Sequence, residues 1–364
     1  MIGGSPSDGK LAYRLIGRLH PRRWLAPLLM SAGPMVVALL VTGVLLVMMG
    51  VNPLEYYGYI VRRGLLSPSG LQASLTRMGP LLLIAASLIA AFRAGLWNLG
   101  GDGQFLLGAV FASASAPALL AAGTPLWLTL LAASLVGAVI GGLWAVLPAL
   151  LKAWQNINEI ITTLMMSFLA ISLSNLLIKN VFFDPGTTVP QTINLAYADR
   201  LPPLFDSHVS SGVLIGLFAL LLVHWLMTRT ALGLQLRVVG ANPGAAIHAG
   251  LPVIGLTVLA LALSASLAGL AGAVEVLGVQ GSVRADWNPA YSLVVVPLVF
   301  LARLNGFGTL ALVFIFSVLS IGSESAARRI GVPNHFTLVT VAVLLIVMAL
   351  TERVAGRRRE KKGG

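Results

Sequence analysis

Cysteine is absent from this chain of 364 residues, so it forms no disulfide and no thiolate metal site, and its redox compartment stays open. Charge is scarce as well. Only 10% of the residues are charged and 57% are hydrophobic, whereas globular domains carry about 25% charged residues. Acids are the scarcer sign, 12 against 24 Lys and Arg, for a formal net charge of +12. Because the basic residues gather at the two ends beside apolar segments, anionic lipid accounts for them and nucleic acid is not expected as a partner. His224 and His248 have no second ligand at useful helical spacing and read as packed or interfacial, so no metal site is expected. No Ser/His/Asp set, H-E-x-x-H or paired-carboxylate arrangement lies in a soluble stretch. Gly4 to Leu11 comes within one residue of a phosphate-loop pattern, but Leu11 offers no hydroxyl to magnesium and no strand precedes it. The chain is not expected to be an enzyme.

What fills the sequence instead is hydrocarbon in long runs: Leu25 to Met49, Trp127 to Leu151, Val213 to Leu226, Leu251 to Val274, Leu310 to Ile321 and Phe336 to Leu350. A bilayer crossing needs about twenty predominantly apolar residues. Together with runs near 71–92, 105–121, 161–178 and 288–303, this predicts an all-α integral membrane protein of about ten transmembrane helices. With the N-terminus inside, sixteen basic residues fall on the cytoplasmic side and eight outside, so the positive-inside rule places both termini in the cytoplasm. The first run is too long for the core of a signal peptide and is expected to remain as an anchor. The expected organisation is a basic cytoplasmic tail at 1–24, a transmembrane domain at 25–350 and a second basic tail at 351–364.

Polar islands interrupt the apolar runs. The most concentrated is N-L-G-G-D-G-Q, Asn98 to Gln104. Glycine-rich, non-helical backbone at membrane depth persists only where protein buries it or where it lines a watery cavity. Asn98, Asp102 and Gln104 are therefore candidates for a translocation or gating element of the broken or re-entrant kind used by transporters, with a plain turn between helices as the alternative. Glu159, continued along one helical face by Thr162, Thr163 and Met166, either lines the pathway or serves the dipole of a helix N-terminus. Glu275 either lines the pathway or sits structurally at a helix end. Two loops are long: Asn180 to Ser207, outside, and Thr228 to Leu251, inside. In the second, Asn242-Pro243 provides an N-cap followed by a first-position proline, predicting a short surface helix over Gly244 to Ala249.

Four blocks together resemble one family. G-L-Q-L-R-V-V-G-A-N-P-G-A-A-I-H-A-G-L, ending at Leu251, is similar to the cytoplasmic coupling loop of bacterial ABC-transporter permeases for nucleosides and simple sugars, the branch shared with ribose and branched-chain amino acid permeases. F-R-A-G-L-W-N-L-G-G-D-G-Q-F-L-L-G-A, Phe92 to Ala109, resembles the family's F-x-x-G-x-x-N-x-G-x-E-G-Q block, with Asp102 in place of the usual glutamate. N-E-I-I-T-T-L-M-M-S-F, Asn158 to Phe168, and S-A-S-L-A-G-L-A-G-A-V-E-V-L-G, Ser264 to Gly278, complete the set. The stretch from Arg284 to Leu304 departs from the family's glycine- and alanine-rich block.

The resemblance implies the ABC importer permease fold in the inner membrane and no directly bound cofactor. It also implies ATP and Mg used by a partner ATPase, a second homologous permease subunit as heterodimer or homodimer, and an extracytoplasmic substrate-binding protein. ATPase coupling is then expected at Gly233, Arg237, Gly240, Asn242, Pro243, Ala245, Ala246 and Gly250. An ion-coupled secondary transporter of a small polar solute is the alternative, since broken helices and membrane acids suit it too.

Overall fold

The structure, a computed structural model, describes residues 21–332 and seven positions between 336 and 350. Residues 1–20 of the expected tail at 1–24, the whole tail at 351–364, the phosphate-loop look-alike and most of the last apolar run lie outside the described residues. Two compact units divide the chain: Met1–Pro53 with Leu338–Gly364, and Leu54–Thr337. Within the first runs helix α1, Pro21–Met48. The second unit carries every candidate site residue.

Among the described residues the second unit is helical, with two isolated β-bridges in its loops. Ser67, Asn158, Thr230 and Asn242 each cap a helix start with a side chain. Helix α2 (Pro53–Val61) passes through a π-type turn into α3, Pro68–Arg93, where the Ser67 side chain accepts a hydrogen bond from Gly70 N at 3.2 Å and Pro68 occupies the first turn. Helices α4 (Gly101–Ala121), α5 (Leu126–Trp144), α6 (Val146–Gln155) and α7 (Glu159–Asn180) follow, the last capped by Asn158. Helix α8 (Gly212–Arg229) leads through the Thr230 cap into α9, Ala231–Ala241, and the Asn242 cap into α10, Pro243–His248. Helix α11 (Val253–Glu275) runs on as a π-type turn to Gln280, and α12 (Tyr291–Leu301) and α13 (Gly306–Ile330) complete the set.

Seven helices among the described residues have the length and apolar character to cross a membrane. The run near 288–303 is not one of them. It holds α12, only 11 residues, which at 1.5 Å per residue spans about 16 Å, half of a hydrocarbon core. Hydropathy cannot separate a half-crossing from a full one, which is why the sequence reads this segment as an ordinary span. Non-helical chain from Gly281 to Ala290 completes the path.

Helix α11 packs against α3, α4, α5 and α6, while α8 and α13 flank α3 and α7 flanks α4. Backbone contact makes the centre tight. A Cβ on Gly269 would stand 2.9 Å from the Gly141 Cα and nearer still to the Gly137 carbonyl, so α11 and α5 approach backbone to backbone at these glycines. Outward, α5 shows Trp127, Leu131, Leu135, Val139 and Leu143, an apolar stripe suited to lipid.

The long loop after α7 is ordered. Thr192 N donates to the Val283 carbonyl at 3.0 Å, Leu195 N to Gly281 at 2.9 Å, and Arg200 Nη1 to Val279 at 2.8 Å. It thereby satisfies backbone groups of the segment between α11 and α12 that no helix pairs.

Candidate functional site

At the end of α3 the chain turns back on itself. Gly95 adopts φ +70°, a left-handed conformation that glycine accepts without steric cost, and Leu96 N reaches the Ala91 carbonyl at 3.0 Å. Asn98 then lies level with Ser87 and Ser264: its Nδ2 donates to Ser264 Oγ at 3.0 Å, and the two serine hydroxyls are 3.0 Å apart. Ser87 stands six residues before Arg93, so the segment has re-entered the bundle by about 9 Å before α4 begins. The two amides pair reciprocally. Asn98 Nδ2 donates to Gln104 Oε1 at 2.9 Å and Gln104 Nε2 to Asn98 Oδ1 at 3.1 Å, while Gly100 N also reaches Asn98 Oδ1 at 3.1 Å. Helix α7 closes the other side, with Thr163 Oγ1 accepting from Leu99 N at 3.1 Å and Ser167 Oγ from Gly103 N at 3.0 Å. Leu99 N and Gly103 N are thus satisfied by side chains of α7, and Gly100 N by the break's own Asn98.

Asp102 faces a different element. Its Oδ1 accepts a hydrogen bond from Ser292 N at 2.8 Å. Ser292 is the second residue of α12, so a buried carboxylate caps the N-terminus of the half-helix, where orphan N–H groups and the positive end of the dipole favour it. Ala290, at the cap position, has φ +51° and no side-chain acceptor to offer. The opposite end of α12 is held from the same break. Arg93 donates through Nε at 3.2 Å and Nη2 at 2.9 Å to the carbonyl of Leu304, in a turn where Arg303 and Leu304 both adopt positive φ. Phe92, Trp97 and Phe300 join the two elements, with ring centroids 4.7–5.4 Å apart.

Glu275 lies at the far end of α11, fully within the protein. Gln280 Nε2 donates to its Oε1 at 2.9 Å and the Tyr291 hydroxyl approaches at 3.5 Å. Glu159 instead pairs with Lys152 at 3.0 Å in the first turn of α7. The buried stripe of α7 runs Glu159, Thr163, Ser167, Ala170, Ser174, Ile178. Thr162 and Met166 stand beside this stripe, partly exposed, and Met166 contributes its carbonyl, which accepts from Trp144 Nε1 at 3.0 Å.

The residues expected to couple to an ATPase separate into two sets. Asn242, Pro243, Ala245 and Gly250 are exposed, and the Asn242 side chain caps α10 by accepting from Ala245 N at 3.0 Å, as the sequence predicts. Arg237 is exposed too, its Nε bonded to the Gly233 carbonyl at 3.2 Å. Ala246 departs from expectation. It is fully buried within the chain, so its small size serves internal packing; the outward residues of α10 are Pro243, Gly244, Ala245, Ile247 and His248. Gly233 and Gly240 likewise face inward. A Cβ on Gly233 would meet Met227 Cα at 2.6 Å, and one on Gly95 would meet Gly240 Cα at 2.6 Å. Backbone-to-backbone contact therefore joins the end of α9 to the turn that opens the polar break.

His224 packs edge-on to Phe307 and accepts from Gly306 N at 3.2 Å, and among the described residues no His, Asp and Glu group could hold a metal ion. Sequence reasoning misses Arg93, Ser167, Ser264 and Ser292. Ser167 and Ser264 lie inside recognisable blocks, so their polar side chains in apolar runs are the available signal.

The family model described as branched-chain amino acid transport system / permease component matches residues 70–348. Relatives include a glucose ABC transporter permease protein, TsgB13, from Haloferax volcanii, 31% identical over 92% of this chain and 91% of that protein. A nucleoside ABC transporter permease protein, NupB, from Lactococcus lactis is 28% identical over 90% of this chain and 91% of its own length. The guanosine ABC transporter permease protein NupP from Bacillus subtilis is 28% identical over 76% of this chain and 80% of its own length. With a model match across most of the helical unit and a 31% identical relative along nearly the whole length, the chain belongs to the family of branched-chain amino acid transport system permease components.

Proposed function

We propose that this permease forms the translocation path of an ATP-driven importer for nucleosides or simple sugars. A permease component is a transport subunit, and in this family ATP hydrolysis belongs to a separate ATPase, which displaces the ion-driven alternative. In the proposed assembly the chain pairs with a second homologous permease, a heterodimer first and a homodimer second. An ATPase pair using ATP and Mg docks from the cytoplasm, and an extracytoplasmic binding protein delivers the solute. The names of the relatives, for glucose, nucleoside and guanosine transport, support the substrate class.

One observation carries the reading: an exposed, small-residue surface helix, α10, follows directly on α9, whose last turn lies against the polar break. Asn242, Pro243, Ala245 and Gly250, with Arg237, form the docking surface in this proposal, while Gly233, Gly240 and Ala246 set its position. Asp102 and the Asn98–Gln104 pair act as gating elements. Glu159, Thr162, Thr163, Met166 and Glu275 are assigned to the pathway wall or its immediate support. The chain sits in the inner membrane with the α10 end and both termini cytoplasmic, as a transmembrane domain over 25–350 between basic tails.

Reporter fusions after Arg357 and within Ala196 to Phe205 should report cytoplasm and exterior respectively, and the same side for both would break the ten-crossing topology. In proteoliposomes containing the chain, its partners and ATP, Ala245→Trp should weaken ATPase co-purification and cut solute uptake about tenfold, because a large side chain in a close contact costs about 1–3 kcal/mol. Uptake that follows an imposed ion gradient without ATP, and ignores Ala245→Trp, would return the assignment to a secondary transporter.

A further inference from the structure

We infer that Arg93 is a positioning residue that makes α12 move with the coupling loop, so that the half-helix is the part of the path that ATP drives. The inference rests on the proposed docking of an ATPase at α10. It deepens that reading by naming what the docking moves.

Three kinds of contact fix α12 to one short stretch of chain. Asp102 holds its first turn through Ser292 N, at 2.8 Å. Arg93 holds the turn after its last residue through two bonds to the Leu304 carbonyl, at 3.2 and 2.9 Å. Phe300, near the C-terminal end, lies in the ring cluster with Phe92 and Trp97. Residues 92 to 102 therefore hold the half-helix at both of its ends. The same stretch contains Gly95, whose missing side chain lets Gly240 approach, so the coupling loop bears on it directly.

Helix α12 is buried along most of its length, and irregular backbone bounds it at both ends. It is preceded by the non-helical segment Gly281 to Ala290 and followed by Arg303 and Leu304 in the left-handed region that L side chains rarely adopt. Such irregular termini absorb the backbone rotations of a moving element. Among the described contacts Arg93 is the charged side chain that bonds this C-terminal turn, and a carbonyl receiving two charge-assisted bonds is a stiff joint. A push on α9 then reaches α12 through Gly240, Gly95 and Arg93 without passing through the packed centre of the bundle.

The test uses the complete transporter in proteoliposomes, with ATP hydrolysis and uptake measured together. Arg93→Ala should lower uptake about tenfold or more, the effect of losing charged hydrogen bonds, while hydrolysis stays within about twofold, so that ATP hydrolysed per solute rises. Arg93→Lys should recover part of the uptake. Hydrolysis and uptake falling together in an assembled complex, or neither changing, would overturn the inference. Should Arg93→Ala fail to assemble, the cysteine-free chain allows a second measurement with Arg93 intact. Nitroxide labels at exposed Leu293 on α12, Leu234 on α9 and Leu135 on α5, introduced as cysteine pairs, report three distances. On ATP binding the α12 to α9 distance should hold while both change relative to α5. An α12 to α9 distance that changes by as much as the others, or no change in any, would refute it. Failure of the docking proposal has its own signature, an ATPase that binds and turns over unaffected by Ala245→Trp, whatever Arg93 does.

Discussion

Asp102→Leu should abolish uptake, and Asp102→Asn should reduce it about tenfold, with both variants inserted and assembled. The leucine variant removes the acceptor from Ser292 N, and a buried N–H without a partner costs about 1–3 kcal/mol. The N-terminus of α12 would have to unwind, shift or admit water. Asparagine keeps an oxygen at the same place but loses the charge that suits a helix N-terminus and adds two N–H donors. A charge-assisted bond is roughly twice as strong as a neutral one, which sets the intermediate loss. Asp102→Glu probes reach as well as charge. A glutamate carries its carboxylate one methylene farther, and with Ser292 packed closely on Gly101 the longer side chain must fold back to reach Ser292 N. The expected order of uptake is Asp, Glu, Asn, Leu. The measurement is initial uptake rate at matched amounts of assembled complex; an asparagine variant with full activity would reduce Asp102 to a residue at a plain turn.

The part of this site that is legible in the sequence is the part whose partners lie close along the chain. Asn242-Pro243 announces α10 because an N-cap and a first-turn proline act within three residues, and the cap bond to Ala245 N is present. Glycines and amides crowded into Asn98 to Gln104 announce an interruption, which the structure confines to the chain up to Gly100, with Gly101 to Gln104 forming the first turn of α4. What that break does is not legible. Asp102 finds its partner in Ser292, 190 residues away, and Arg93 finds Leu304 at 211, pairings that depend on how α12 enters the bundle. Local pattern carries no information on that.

Side-chain direction escapes the sequence for a related reason. In α10 every residue from Gly244 to Ala246 is small, so no apolar periodicity reveals that Ala246 is the one turned inward. On α7 the polar residues suggest a face through Glu159, Thr162, Thr163 and Met166, whereas the buried stripe passes through Ser167 and Ser174. Serine in a membrane helix looks neutral by hydropathy, yet here it supplies the acceptor that Gly103 N needs. Small polar residues are the ones whose placement packing decides and composition conceals.

The contact between α9 and the break makes the second large effect a matter of one hydrogen replaced by carbon. Gly240→Val should abolish ATP-driven uptake while hydrolysis by the assembled ATPase continues. A Cβ at Gly240 would come within 2.6 Å of Gly95 N and closer to the Ala94 carbonyl group, and these are backbone atoms that cannot swing aside as a flexible side chain would. Either α9 lifts away or the Gly95 turn gives, and the overpacking cost of about 1–3 kcal/mol corresponds to a roughly five- to hundredfold bias against the joined state. Lifting α9 breaks transmission without touching α10, whose cap, exposed face and buried Ala246 stay as they are. Gly255 supplies the control, since a Cβ there meets no atom within 4 Å, and Gly255→Ala should transport normally. Measured side by side as ATP hydrolysed per solute imported, Gly240→Val should show a sharply raised ratio and Gly255→Ala an unchanged one. Equal, normal ratios in both would mean that the push from the ATPase reaches the path by some other contact than the one between Gly240 and Gly95.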